Sequence, residues 1–195
     1  MPKIVDHEER RRAIASAAVD AVAAHGLDGV KLADIARAAE VTTGAVSHYF
    51  EDKDAVLAAA LEEVCTRLFI KIGEPDGPPS FDDLASCLPD DEESRKEWRV
   101  WLAYWGRAPF SERLSEIHRQ YYLEIETAVV EDIEDVAEDP RLAAAAIIAA
   151  IDGVGTRATL EPDAWPPARQ RALLWTLIGP LFDTLTSKQN RLEEV

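Results

Sequence analysis

A chain of 195 residues with 47% hydrophobic side chains can hold one domain or two small ones around a sizeable core, and is not a disordered polymer. Its 37 acidic against 21 basic residues leave a formal net charge of −16, which argues against generic nucleic-acid binding through bulk charge. Cys65 and Cys87, the two cysteines, match no zinc spacing and make no disulfide framework, so a reduced, cytoplasmic setting is expected. No apolar run stands out at the length of a membrane span and no secretory leader is read, so no membrane partner is expected.

In chain order, a first helix is expected from about Asp6, which with Glu9 has the spacing of a capping box. Ile14, Ala18, Ala21 and Val22 make its apolar face, Gly26 is placed as its stop, and Gly29 allows a turn into Lys31. Leu32, Ile35, Ala36 and Ala39 recur at helical spacing on a short second helix. Val41 follows as a buried plug, and the Thr42 hydroxyl can cap a third helix. Val46 and Phe50, four apart, turn that helix into the core. Thr43, Gly44, Ser47 and His48 remain as a thin polar face, a shape that suits the DNA major groove. Asp52 then caps a helix beginning at Lys53, with a stripe of Leu57, Leu61, Val64 and Leu68.

Residues 8 to 57 resemble the helix-turn-helix domain of TetR-type transcriptional repressors. The carrying residues are Ile35-Ala36, Val41-Thr42, Tyr49-Phe50 and Lys53. The run Val46 to Phe50 followed by Asp52-Lys53-Asp54 looks most like the BetI-like branch. Two positions depart from the family pattern: Lys31 stands where Thr is frequent, and Glu40 where Gly is frequent. A left-handed turn at Glu40 costs roughly 1 kcal/mol relative to glycine. The resemblance implies base-facing roles for Thr43, Ser47 and His48, beside Gly44. It implies phosphate contacts for Lys31, Thr42, Tyr49 and Lys53, although Ser47 replaces the more usual Tyr.

Charge is unevenly placed. Residues 1–55 hold 7 basic and 10 acidic side chains, giving −3, and residues 56–195 hold 14 and 27, giving −13. Arg10, Arg11, Arg12, Lys31, Arg37 and Lys53 are the local cations a DNA-reading head could use, so weak non-specific binding and a modest salt dependence are expected.

Beyond the helix from Lys53 to about Ile72, residues 73–80 break the pattern with three prolines and two glycines. Further helices are expected over Phe81 to Leu88, Glu92 to Gly106 and Ser111 to about Val136, the last with Leu114, Ile117, Tyr121 and Ile125 on one face. The acidic run Glu131 to Asp139 reads as solvated. Asp139-Pro140 opens a helix to about Leu160 as cap and first turn. A last helix runs from about Pro167 to Ser187 and should kink or divide at Pro180. No strand pattern or internal repeat is present.

Trp98, Trp101 and Trp105 fall three and four apart on one helix face, flanked by Leu102 and Tyr104. With His118, Tyr121, Tyr122 and Trp175 they form either ordinary core or a ligand box. TetR-type proteins hold a small-molecule pocket in this region, and the Trp-Leu-Ala-aromatic-Trp pattern resembles the BetI-like regulatory domain. Indole faces attract cations by roughly 0.5 to 2 kcal/mol per contact, so a cationic effector is expected, with an apolar or aromatic one fitting the same residues.

No catalytic constellation, metal ligand set or cofactor motif is found. His7, His25, His48 and His118 are scattered, and there is no phosphate loop or nucleophile elbow. The sequence therefore specifies an all-α protein without a cofactor. Residues 1–52 are expected to form the three-helix helix-turn-helix domain, and 53–195 a helical ligand-binding and dimerisation domain. The expected partners are a double-stranded, palindromic DNA operator, a second copy of the chain, and a small-molecule effector that releases the DNA. The dimer interface is assigned to Ile147, Ile151, Val154, Leu174, Ile178 and Leu181 on the last two helices. The alternative is a helical protein-interaction module that has lost DNA binding.

Overall fold

The computed structural model describes residues 7–72, 80–135 and 137–193, with side chains described for 7–68, 80–135 and 137–181. The Asp6 cap, the 73–79 loop, Val136 and the side chains of Phe69, Ile72 and Leu185 lie outside the described residues. Among the described residues the chain is helical, without strands. The elements are α1 (His7–Gly29), α2 (Leu32–Ala38), α3 (Thr43–Tyr49), α4 (Lys53–Ile72), α5 (Phe81–Ala85), α6 (Glu92–Arg107), a 3-10 turn (Ala108–Phe110), α7 (Glu112–Ile133), α8 (Pro140–Leu160) and α9 (Pro167–Glu193).

Two compact units result. The first comprises the described residues of Met1–Phe69 with Arg95–His118, the second those of Ile70–Ser94 with Arg119–Val195. Packing thus divides the chain differently from the expected boundary at 52/53, because α4 and α6 are tied to α1. Arg11 pairs with Glu62 at 3.2 Å, Arg67 donates to the Ser16 hydroxyl at 2.7 Å, and Lys96 pairs with Asp20 at 3.2 Å. Between them lies an apolar core that includes Ile14, Ala18, Val22, Leu57, Leu61 and Val64.

Gly26, with φ 66°, interrupts α1, and a last short turn follows it, closed by the Val30 amide donating to the Gly26 carbonyl at 3.1 Å. The expected stop at Gly26 is thus present, and Gly29, without a positive φ, is the last helical residue before Val30 and Lys31 lead into α2. The Asp34 carboxylate takes the Lys31 amide at 3.1 Å, which supplies from within α2 part of what a hydroxyl cap would give. Between α2 and α3, Glu40 has φ 54°, the one positive φ of a non-glycine residue among the described residues. Glu40→Gly should therefore stabilise the protein by about 0.5–1 kcal/mol, raising Tm by roughly 1–4 °C in a chain of this size. Calorimetry checks it, and an unchanged or lower Tm would show that the turn carries no strain.

Val41 is only half-buried, not a plug, since its place at the mouth of the turn leaves one side open while its amide bonds the Ala36 carbonyl at 2.9 Å. The Thr42 hydroxyl caps α3 by accepting from the Ala45 amide at 3.2 Å, and Asp52 caps α4 by accepting from the Ala55 amide at 2.7 Å.

In the second unit α8 packs along α9, and α5 joins them. Leu84, Ala85, Leu88, Ile147, Ala150, Val154, Leu174 and Ile178 form its core. Ser80 and Asp83 make a reciprocal capping box that starts α5, and the helix ends at Ala85, short of the expected Leu88, as the chain turns toward Pro89. Asp139 caps α8 by accepting from the Leu142 amide at 3.1 Å. The acidic stretch before it is anchored by fully buried Ile133. Its Asp132 carboxyl is pushed up by burial and by Glu131 beside it.

Two expectations are corrected here. Pro180 does not divide α9, which runs on to Glu193. One missing amide is offset by the packing of Leu174, Ile178 and Leu181 on both sides of it. And α8 is, by length and composition, apolar enough to cross a membrane, because alanines and isoleucines fill its 21 residues. Its Ile147 and Val154 face instead belongs to the core with α9.

Candidate functional site

The helix-turn-helix presents its expected face. Val46 and Phe50 are buried, while Thr43, Gly44, Ser47 and His48 are exposed on the opposite side of α3. Tyr49 is half-buried, with its ring 5.4 Å from that of His7 and 5.5 Å from that of His48. The contact with His7 ties the start of α1 to the end of α3. The Arg11 guanidinium lies 5.7 Å from the Phe50 ring, on the other side of the same joint.

Three of the six local cations, Arg11, Arg37 and Lys53, have internal partners. Arg37 pairs with Asp34 at 3.4 Å, and Lys53 Nζ donates to the Leu27 and Asp28 carbonyls at 3.4 Å each. Lys53 therefore clamps the N-terminus of α4 to the last turn of α1, satisfying carbonyls at a helix end where positive charge is favoured. Periodicity gave no sign of this role. Lys31 and Thr42, also expected at phosphates, are exposed at the N-termini of α2 and α3.

The residues expected around an effector fall into both units. In the first, Trp98 and Trp101 are buried and Trp105 and Leu102 half-buried. The Trp105 ring centroid lies 6.1 Å from that of Trp98 and 5.8 Å from that of Trp101. Tyr104, expected to flank them, is fully buried. Its ring meets that of Trp101 edge-on at 6.1 Å and stacks on half-buried His118 at 6.1 Å. Its hydroxyl donates to the Leu114 carbonyl. Burial first, then nearby Cys65, pushes that hydroxyl up to about 12, so it is a neutral donor at any physiological pH.

In the second unit, Tyr121 is half-buried, and Tyr122 donates its hydroxyl to Asp152 at 2.8 Å. Burial raises the Asp152 carboxyl to about 6, and the Tyr122 bond only partly offsets it. The two are 30 residues apart, a pairing that no local pattern shows. Trp175 is 46% exposed, lies edge-on to Phe81 at 5.0 Å, and covers Gly179, where an added Cβ would come within 2.8 Å of the indole.

The residues expected at a dimer interface gather at the core of the second unit. Ile147, Val154, Leu174 and Ile178 are buried within their own chain, and Ile151 and Leu181 pack against the same core. A helix apolar all round gives no sign of which side meets its own chain. Exposed on these two helices are Leu142, Ala145, Ala149, Gly153 and Leu160 of α8 and Leu177 of α9.

Comparison with known proteins places this geometry in a family. Residues 14–60 match the bacterial regulatory proteins of the tetR family, and residues 84–183 match the C-terminal domain of BetI-type transcriptional repressors. The HTH-type transcriptional regulator PksA of Bacillus subtilis is 28% identical over 173 residues, covering 83% of this chain and 84% of that protein. The HTH-type transcriptional regulator BetI of Burkholderia thailandensis is 30% identical over 171 residues, covering 82% and 87%. Among solved structures, a transcriptional regulator from Rhodococcus sp. Rha1 superposes with a TM-score of 0.80 at 28% identity, over 89% of this chain and 96% of that one. With its exposed α3 face, its two family matches and these relatives, the chain belongs to the TetR family, on the BetI branch, and is a DNA-binding transcription regulator of the repressor type, not an enzyme.

Proposed function

We propose that the protein is a cytoplasmic, homodimeric repressor that binds a palindromic operator and is released from it by a small molecule. The carrying observation is the α3 face, where buried Val46 and Phe50 and the Thr42 cap hold Thr43, Gly44, Ser47 and His48 outward. In this reading Thr43, Ser47 and His48 meet base edges, and Lys31, Thr42, Tyr49 and Lys53 meet phosphates. A mobility shift with DNA from upstream of the protein's own gene tests it. Absence of any sequence-selective shift would favour the helical interaction module instead.

Lys53→Ala separates two roles. Loss of a phosphate contact lowers affinity for all DNA alike and reduces the salt slope by about one. Loss of the clamp on α1 lowers stability by about 0.5–1.5 kcal/mol. A lower Tm with an unchanged salt slope would leave Lys53 as a clamp alone.

The effector site is proposed on the indole cluster of α6, with Tyr104 and His118 behind it. Indole faces suit a cationic or aromatic molecule. Such a molecule releases DNA only by preferring a conformation that holds the reading heads differently, through a coupling of roughly 1–3 kcal/mol. Trp105→Ala should blunt effector-driven release while apo DNA affinity stays near wild type. Release titrated beside intrinsic fluorescence reads both, and undiminished release would make the indoles core only.

A further inference from the structure

Asp54, the second residue of α4, stands where an acid suits the positive end of a helix. Its carboxylate also reaches beyond its own helix. Oδ1 accepts from the Arg107 guanidinium at 3.3 Å, and Oδ2 accepts from the Ser111 hydroxyl at 2.9 Å. Arg107 ends α6, and Ser111 stands between the 3-10 turn and α7. One side chain of α4 thus holds both arms of the corner that joins α6 to α7, and all of these residues belong to the first unit.

The corner is itself tied. Ser115 donates its hydroxyl to the Ala108 carbonyl at 2.6 Å, and Tyr104 donates to the Leu114 carbonyl. The Ser111 hydroxyl that donates to Asp54 also accepts from the Leu114 amide at 3.4 Å, at the start of α7. On the other side, Asp52 caps α4 and Lys53 bonds the last turn of α1, both within the helix-turn-helix and its exit. Asp54 alone of these three consecutive residues reaches past the reading head. An isolated surface ion pair holds little, but the Asp54 side chain is only 20% exposed and carries a hydroxyl bond beside the charge pair. Two donors from segments fixed to each other meet its two oxygens, which leaves the first turn of α4 one orientation against the corner.

We propose that Asp54 is a positioning residue for DNA recognition: by joining the first turn of α4 to the α6–α7 corner, it sets the angle of the helix-turn-helix within the first unit. In a dimer that angle becomes the spacing of half-sites that the two heads read. This consequence rests on the DNA-binding reading above, whereas the joint itself does not.

The test compares Asp54→Ala, Arg107→Ala and the double variant in the full chain, with folding checked by circular dichroism. The probes are DNA from upstream of the protein's own gene, the same DNA with one half-site scrambled, and the same DNA with one base pair inserted between half-sites, which rotates them by about 35°. Asp54→Ala should weaken binding to the intact DNA about 10-fold and to the single half-site less than about 2-fold, because heads no longer preset at one spacing forfeit the gain from linkage. The inserted base pair should then cost it less than it costs the wild type. Arg107→Ala, at a half-exposed side chain, should act in the same direction, and the double variant should be no worse than Asp54→Ala. Equal losses on intact and half-site DNA would overturn the positioning role, since a damaged head loses both alike, and so would additive losses in the double variant. Amide exchange read by mass spectrometry follows the joint without DNA. The first turn of α4 and the Ala108–Ser111 segment should exchange at least ~5-fold faster in Asp54→Ala, with α2 unchanged. Unchanged exchange there would remove the joint. A wild type without any sequence-selective shift would defeat the repressor reading and the positioning role with it, and faster exchange in Asp54→Ala would still establish the joint.

Discussion

Gly153→Asp is expected to convert the dimer to a monomer and to abolish tight operator binding. Gly153 is exposed on α8, and an added Cβ there meets nothing within 4 Å, so the folded monomer accommodates the change. In the proposed dimer, Ala145, Ala149 and Gly153 recur every four residues and let two helices approach closely, with Leu142 and Leu160 beyond. Two aspartates brought together there lose hydration without gaining a partner. A penalty of about 3 kcal/mol weakens association roughly 100-fold. Each reading head then binds its half-site alone, and the gain from linking the two is lost. Sedimentation at micromolar concentration with a parallel mobility shift reads both effects. A Gly153→Asp protein that stays dimeric would place the interface elsewhere. Ile147→Asp is no substitute, since Ile147 is core and its loss unfolds the unit.

Asp152→Asn should remove a pH dependence of stability. The folded carboxyl titrates at about 6, above the 3.8 of an ordinary aspartate. The folded state thus holds this proton more tightly than the unfolded chain does. The contribution is fully present below about pH 4, is lost as pH rises through about 6, and is absent at neutral pH. The full shift corresponds to about 3 kcal/mol, and partial exposure of the group reduces this to on the order of 1–2. Asparagine keeps a partner for Tyr122 without the charge. Urea unfolding of both proteins from pH 4.5 to 7.5 should show the variant gaining on the wild type as pH rises. A difference that stays flat would mean that Asp152 titrates as it does in the unfolded chain.

What could be read from the sequence was set by local spacing. Thr42, Val46 and Phe50 lie within nine residues, and cap, core contact and exposed face all follow from one helix period. The same period placed Leu57, Leu61 and Val64 correctly. It failed where two answers share one pattern. On α8, apolar residues on most sides made Ile147 and Val154 equally plausible as core or interface. Ser80 and Asp83 have the spacing of a capping box, but they border a stretch of prolines and glycines that carries a turn signal of its own. Tyr122 with Asp152, and Lys53 with the Leu27 and Asp28 carbonyls, are tertiary pairings with no sequence signature.

The engagement of Arg11, Arg37 and Lys53 by internal acceptors has a kinetic consequence. A distant DNA duplex meets the field of the whole chain, at −16, against a reading head where Arg10, Arg12 and Lys31 are the cations outside these pairs. At low ionic strength, where charges are felt over about 30 Å, encounter is repulsive, and added salt first quickens approach before it weakens the bound complex. Such a repressor gains little from electrostatic guidance along DNA. It finds its operator through collisions already close enough for α3 to read the groove, and so spends little time on the wrong sequence.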